Sequence, residues 1–329
     1  MRRPGVILVL LLLALAGAAA LRLVLGGLDG EPEVLHEVLA LRGVRIGAGA
    51  CVGAALGVAG VLLQSLLRNP LASPDLLGLG SGAGLGVMLS AYAAYRGGEG
   101  LARLAHLGFQ TPMAILGAGA ALGTVYLLSQ RRGLLDPVAL VLVGVIVALI
   151  CAAGTELVRH LMPDQGLEAS RLLLGAIRED VSGAQLGAMG VLVLACVGAS
   201  TLAGRAMDAA ALGDDEARSV GVNVGGLRAL AFVLAGVLSA AAVVLAGPIG
   251  FVGLVAPHVV RLLAGPSHRT LIVGSALAGA ALVLLADSGV AGLRALGFAG
   301  GRPPLSVLTS LVGGPVFIGL LRRRQRGSL

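Results

Sequence analysis

No lysine occurs in this chain; all 24 basic residues are arginine. A P-loop needs a lysine to reach the nucleotide phosphates, so any ATP that drives this protein is bound by another polypeptide. The same absence excludes a lysine Schiff base. Tryptophan is missing and aromatic residues make up 2% of the chain, which argues against a membrane barrel with aromatic girdles. Charge is scarce at 12%, about half the roughly 25% of a soluble domain. The three cysteines, Cys51, Cys151 and Cys196, stand singly in apolar runs. They have no metal or redox spacing and read as inert packing thiols.

What is present is apolar and small. Hydrophobic residues are 57% of the chain and glycines number 53, with a mean hydropathy of +0.96. Long apolar runs of this composition specify an integral membrane protein built from helices that approach closely. Segments near the ~20 residues needed to cross a bilayer fall at 6–25, 44–66, 76–95, 111–129, 138–160, 187–205, 227–246, 249–264, 270–291 and 305–321. The expected fold class is therefore all-α and polytopic, with about ten transmembrane helices and both termini on one side. The eighth segment is short and broken by Pro257.

Arginine placement orients the chain. Fourteen arginines fall on the side of the termini and ten on the other, while acids number six and ten on those sides, with Asp287 inside a span. The termini and the segment 207–226 are thus expected in the cytoplasm, and the tail RRRQR reads as a stop-transfer cluster. The +7 net charge belongs to this asymmetry rather than to nucleic-acid binding. The opening MRRPGVILVLLLLALAGAAA has the make-up of a signal peptide. It reads as a first span, because its removal would leave an odd number of spans.

Glycines spaced by four recur at Gly49, Gly53 and Gly57 and at Gly78, Gly82 and Gly86, the small-xxx-small pattern of tight helix pairs. GLGSGAG loosely matches a dinucleotide fingerprint but lacks the preceding strand and the following acid. The most informative stretch is ALGDDEARSVGV, ending at Val222. It is a soluble-looking helix between spans, on the arginine-rich side. Asp214, Asp215 and Glu216 follow Gly213 at the start, where acids oppose the helix dipole. Arg218 is spaced to pair with Asp214, and Gly221 can end the helix.

Four stretches carry a specific resemblance: LRGVRIGAGACVGAALGVAGVLLQSLLRNPLASPDLLGLGSGAGLG (41–86), ALGDDEARSVGVNV (211–224), AGPIGFVGLVAPHVVRLL (246–263) with SHRTLIVGSALAGAALVLLAD (267–287), and PPLSVLTSLVGGPVFIGLLRR (303–323). They resemble the FecCD family, permease subunits of type II ABC importers for ferric siderophores, haem and cobalamin. The resemblance runs nearly end to end and is weakest at 97–186. It implies one transmembrane permease domain over 1–329 and a homodimer around a central pathway. Two ATPase subunits carrying ATP and Mg would sit on the cytoplasmic face, and a periplasmic binding protein would deliver cargo. The expected location is a bacterial inner membrane. The chain itself would be no enzyme and hold no cofactor or metal.

By the same resemblance, Leu212, Gly213, Asp214, Asp215, Glu216, Ala217, Arg218 and Gly221 form the helix that docks on the ATPase. Arg42, Arg45 and Arg294 match outward positions that receive acidic knobs of the binding protein. His160, Arg171 and Arg178 are candidates for the substrate path. Here the sequence departs from the family, with Arg171 and Leu172 in place of aromatics, Arg302 in place of an acid and Ser306 in place of a glycine. The added arginines suit a cargo with carboxylates, so haem is the first expectation, ferric siderophore the second and cobalamin the third. His258 beside Pro257 reads as structural. Asp287, costly inside a bilayer at about 2.5–3.5 kcal/mol on insertion scales, is expected to hydrogen-bond between helices. Glu156 is expected to pair with Arg159 or His160, and Pro70 and Pro74 to shape the elbow between the second and third spans. An ion-coupled secondary transporter is the rival class; Asp287 without a counterpart in the first half argues against it.

Overall fold

A computed structural model describes residues 4–25, 32–97, 110–131, 134–162, 175–178, 181–297 and 303–326. Among them eleven α-helices follow in order: α1 (Pro4–Val24), α2 (Pro32–Leu66), α3 (Leu79–Arg96), α4 (Gln110–Leu128), α5 (Pro137–His160), α6 (Gly183–Leu212), α7 (Asp214–Ser219), α8 (Val224–Ala246), α9 (Val252–Ala264), α10 (His268–Ala295) and α11 (Leu305–Arg326). A 3-10 turn (Pro74–Leu77) precedes α3, and two-residue strands β1 (Gln130–Arg131) and β2 (Leu134–Leu135) pair antiparallel before α5. This hairpin is a small addition to the all-α expectation.

Helix starts follow capping chemistry. Asp136 accepts from the amides of Val138 and Ala139, with Pro137 in the first turn. Ser182 caps α6 through Gln185, and Asn223 caps α8 through Gly226. Each side chain satisfies a first-turn amide that has no partner in its own helix.

Seven helices are long and apolar enough to cross a membrane, and α9 and the stretch Leu305–Pro315 are shorter apolar helices. The apolar windows of α2, α8 and α10 are mostly buried, at 72, 61 and 56%, against 11% for α1 and 17% for α5 and α6. So α2, α8 and α10 form the centre, and α1, α5 and α6 turn most of their surface outward.

The glycine ladder on α2 is what lets that centre close. A Cβ on Gly53 would lie 2.2 Å from the carbonyl oxygen of Gly279, and one on Gly57 2.2 Å from that of Ser275. The α2 and α10 backbones therefore touch, with dispersion contact where side chains would hold them apart. Gly82 and Gly86 do the same for α3 against α4, at Gly117 and Met113. Gly78 serves a turn instead: at φ 70° it ends the 3-10 segment.

Two spans are not full-length crossing helices; the eighth is short as expected, although it continues through Pro257 rather than breaking there. α9, only 13 residues, is about 20 Å long, too short for a ~30 Å hydrocarbon core. It starts beside Pro74, which packs on Gly253, and runs to the end of the molecule where Val260 meets Gly274 near the start of α10. It is a half-span. The third span likewise begins only after the turn at Pro74–Leu77, which follows an Asx turn at Asn69, whose Oδ1 accepts from Leu71 N at 2.9 Å. Pro74 thus shapes the elbow as expected.

The extended strip 175–178 closes the opposite end. Its Ala176 and Arg178 amides donate to the carbonyls of Ala246 and Leu245 at the end of α8, and Gly175 O accepts from Ser306 N at the start of α11. Terminal carbonyls that α8 leaves open are satisfied this way. Because α1 and α10 run parallel, with α2 and α11 antiparallel to them, α1 begins and α11 ends on the face that carries α7.

Candidate functional site

Two clusters stand out, one on each face. On the face with α7, the acidic helix is short, six residues, and too short to be stable alone. Its ends are fixed by local chemistry. Gly221, at φ 83°, lets its own amide reach Arg218 O while Val222 N reaches Ala217 O at 2.9 Å. That pair of bonds is a Schellman ending, so Gly221 does stop the helix. At the start, Glu216 folds its carboxylate over Gly213, where a Cβ would collide with Glu216 Oε2. Ala217 is fully buried, whereas Leu212 is exposed beside it.

The acids divide their labour. Asp214 turns inward. Arg228 Nη2 of α8 donates to both its oxygens, at 2.8 and 3.1 Å, and Arg68 Nη2, from the turn after α2, donates to Oδ1. Arg68 also holds Ala210 O at 2.9 Å, and its own backbone lies at φ 47°. The expected Asp214–Arg218 pair does not form, because Asp214 is already taken. Arg218 pairs with Asp215 instead, at 3.1 Å, one turn-step closer on the helix. The Asp215 side chain is 94% exposed. α7 is thus tied by one carboxylate to the α2 elbow and to α8, and displays another.

On the opposite face lies a bowl of about 320 Å³ whose wall includes Arg22, Arg42, Arg45, Arg178, Arg294 and Asp287. Arg42, Arg45, Arg178 and Arg294, named from the sequence, therefore meet in one place. Among the described residues five arginines face one carboxylate, although acids and arginines balance on that side of the sequence. The carboxylate is Asp287, 1% exposed. Arg45 grips it with a fork, Nε to Oδ2 at 3.0 Å and Nη2 to Oδ1 at 2.7 Å, and Arg22 Nε adds a bond to Oδ2 at 2.5 Å. Asp287 is thus an inter-helix knot, joining α1 and α2 to α10, as its position inside a span requires. Arg42 Nη1 donates to Leu23 O at 2.6 Å and Arg178 Nη1 to Thr111 Oγ1 at 3.3 Å, while Arg294 is exposed at the rim.

Arg22 is the member that sequence reasoning missed. It is separated from Asp287 by 265 positions, and no local pattern marks it. The signal available was an arginine closing one span and an acid inside another.

His160 is exposed at the end of α5 and stands outside the bowl wall, and Glu156 pairs with Arg159 one turn below it. Arg171 and Arg302 lie outside the described residues. His258 is buried in α9, and His268 Nδ1 lies 2.7 Å from Asp208 Oδ1 at the start of α10. Among the described residues no three His, Cys, Asp or Glu side chains converge to hold a metal.

A family model described as the FecCD transport family matches residues 5–323. The chain is 36% identical over 306 residues to the cobalamin import system permease protein BtuC of Halobacterium salinarum, covering 90% of this chain and 76% of that one. It is 34% identical over 328 residues to the hemin transport system permease protein HmuU of Yersinia pestis, covering 98 and 95%. To the ferric enterobactin transport system permease protein FepD of Escherichia coli it is 32% identical over 341 residues, covering 98 and 96%. A solved structure described as an inward-facing conformation of a metal-chelate type ABC transporter superposes with a TM-score of 0.81 at 29% identity, covering 97% of this chain and 99% of that one.

Proposed function

The chain belongs to the FecCD transport family, and from that membership we propose that it is the membrane permease of an ATP-driven importer for an iron chelate, with haem as the favoured cargo. It works as a homodimer in a bacterial inner membrane, with both termini and α7 in the cytoplasm. Two ATPase subunits bind ATP and Mg and dock on α7. A periplasmic binding protein brings the cargo to the arginine bowl. The chain breaks no bonds; it supplies a path whose opening alternates between the two faces.

The observation that carries this reading is α7 itself. A six-residue helix, closed at its C-terminal end by Gly221 and tied through Asp214 to Arg68 and to α8, moves only if those elements move. It is a lever arm on a chain with no lysine for a nucleotide site of its own. ATP closing the partner ATPases would draw two such levers together and tilt the spans they are tied to. Docking through arginines sets orientation and on-rate more than affinity.

The preference for haem rests on the bowl. Its surplus of guanidinium groups favours partners and cargo bearing carboxylates, such as the two propionates of haem. Ferric siderophore is second and cobalamin third. The test is reconstitution in nanodiscs with the ATPase and the binding protein retained by the immobilised transporter. Loaded binding protein should raise ATP turnover, and the absorption spectrum of its ligand should be that of haem. Uptake without ATP would overturn the importer reading; a corrin spectrum would overturn only the cargo.

A further inference from the structure

Two arginines meet on the buried carboxylate of Asp287. One bidentate arginine already neutralises Asp287 and fills both its oxygens. The second, Arg22, adds a single bond to an oxygen that Arg45 also uses. Its side chain is 12% exposed and lines the bowl beside Arg42 and Arg294. Stripping a buried acid of its sole partner is strongly destabilising, because the charge is left unpaired. Asp287 can lose Arg22 without meeting that penalty, since the Arg45 fork remains.

We propose that Arg22 is a stored docking residue: it rests on Asp287 in the undocked permease and transfers to a carboxylate of the binding protein when that protein seats in the bowl. The proposal rests on the docking reading above and adds to it a residue and a movement. The exchange swaps one carboxylate for another on the same guanidinium, so little net energy opposes it. The bowl's remaining arginines lower the potential energy of the incoming acid before contact. Arg22 is in the last turn of α1, and α1 is the least buried of the seven candidate spans. Transfer of Arg22 thus removes the polar tie between α1 and α10 and leaves that between α2 and α10, held by Arg45, in place. Docking becomes a signal within the membrane domain, carried by α1.

The experiment uses the full transporter in nanodiscs and the binding protein retained by the wild-type transporter. Arg22→Gln should weaken docking about tenfold at low ionic strength, the size of one charge-assisted hydrogen bond. Arg22→Lys, which keeps the charge, should recover most of the loss. The salt dependence of docking should flatten in R22Q and not in R22K. Wild-type docking affinity in R22Q, with only a lowered thermal midpoint, overturns the proposal and makes Arg22 a structural clamp. Arg42→Glu with Arg294→Glu separates the two levels. If that pair leaves docking intact, the bowl is not the docking site and both readings fall. If it abolishes docking while R22Q does not alter it, only the stored arginine falls.

Discussion

Replacing Asp214 by alanine should unseat α7 without unfolding the membrane core. The carboxylate is 27% exposed and holds Arg228, itself 17% exposed, through two bonds, and Arg68, 47% exposed, through one. A pair as exposed as the second contributes well under ~1 kcal/mol. The first, one Nη2 shared between both oxygens and partly buried, contributes about 1–2 kcal/mol. Their sum of about 2 kcal/mol is a factor of roughly thirty in the ratio of seated to unseated helix. α7 is too short to compensate by its own helicity. Hydrogen exchange reads this directly at the amides of Ala217 and Val222, which donate to Gly213 O and Ala217 O. Both should exchange about thirty times faster, and co-purification of the ATPase should fall in step. Asp215→Ala is the matching control. Its side chain projects into solvent, so exchange should stay at the wild-type rate while ATPase binding weakens. Wild-type exchange in D214A together with full ATPase recovery would refute the idea that this carboxylate seats the helix.

Other outcomes follow from the same geometry. Gly53→Leu places a side chain where the Gly279 carbonyl stands, so the α2–α10 pair must part; a loss of about 1–3 kcal/mol should appear as a lower thermal midpoint, and Gly119→Leu, with open space around it, should show none. Gly221→Ala forces a Cβ into the left-handed region at φ 83°, costing about 1–2 kcal/mol, and should loosen α7 with little change in the core, again by exchange at Val222. Asp287→Ala leaves Arg45 and Arg22 without their acid inside a ring of arginines; destabilisation of about 3–5 kcal/mol is expected, partly relieved by adding Arg45→Met.

Much of this molecule was legible from residues in order. Length and apolarity of runs counted the spans, because a bilayer sets one length for every crossing helix. The α7 ending could be read from Gly221, since only a short-range backbone conformation is at stake. The glycine ladders announced close packing, although their partner helices were not nameable. Local spacing failed at Arg218. Helical periodicity offers it both Asp214 and Asp215, and the choice fell to Arg228 and Arg68, which arrive from elsewhere in the chain.

The sequence alone determined that this is a lipid-embedded helical protein with no lysine for a P-loop, and with a short acidic segment between its spans. Those properties depend on composition and on neighbours within a turn. Only the tertiary structure decided which charges meet. It gathered Arg22, Arg42, Arg45, Arg178 and Arg294 around Asp287, turned Asp214 inward and Asp215 outward, and cut the eighth span to half length against Pro74. Coulomb attraction and backbone contact act across space, and α1, α2 and α10 had to pack before a carboxylate at position 287 could find arginines at 22 and 45.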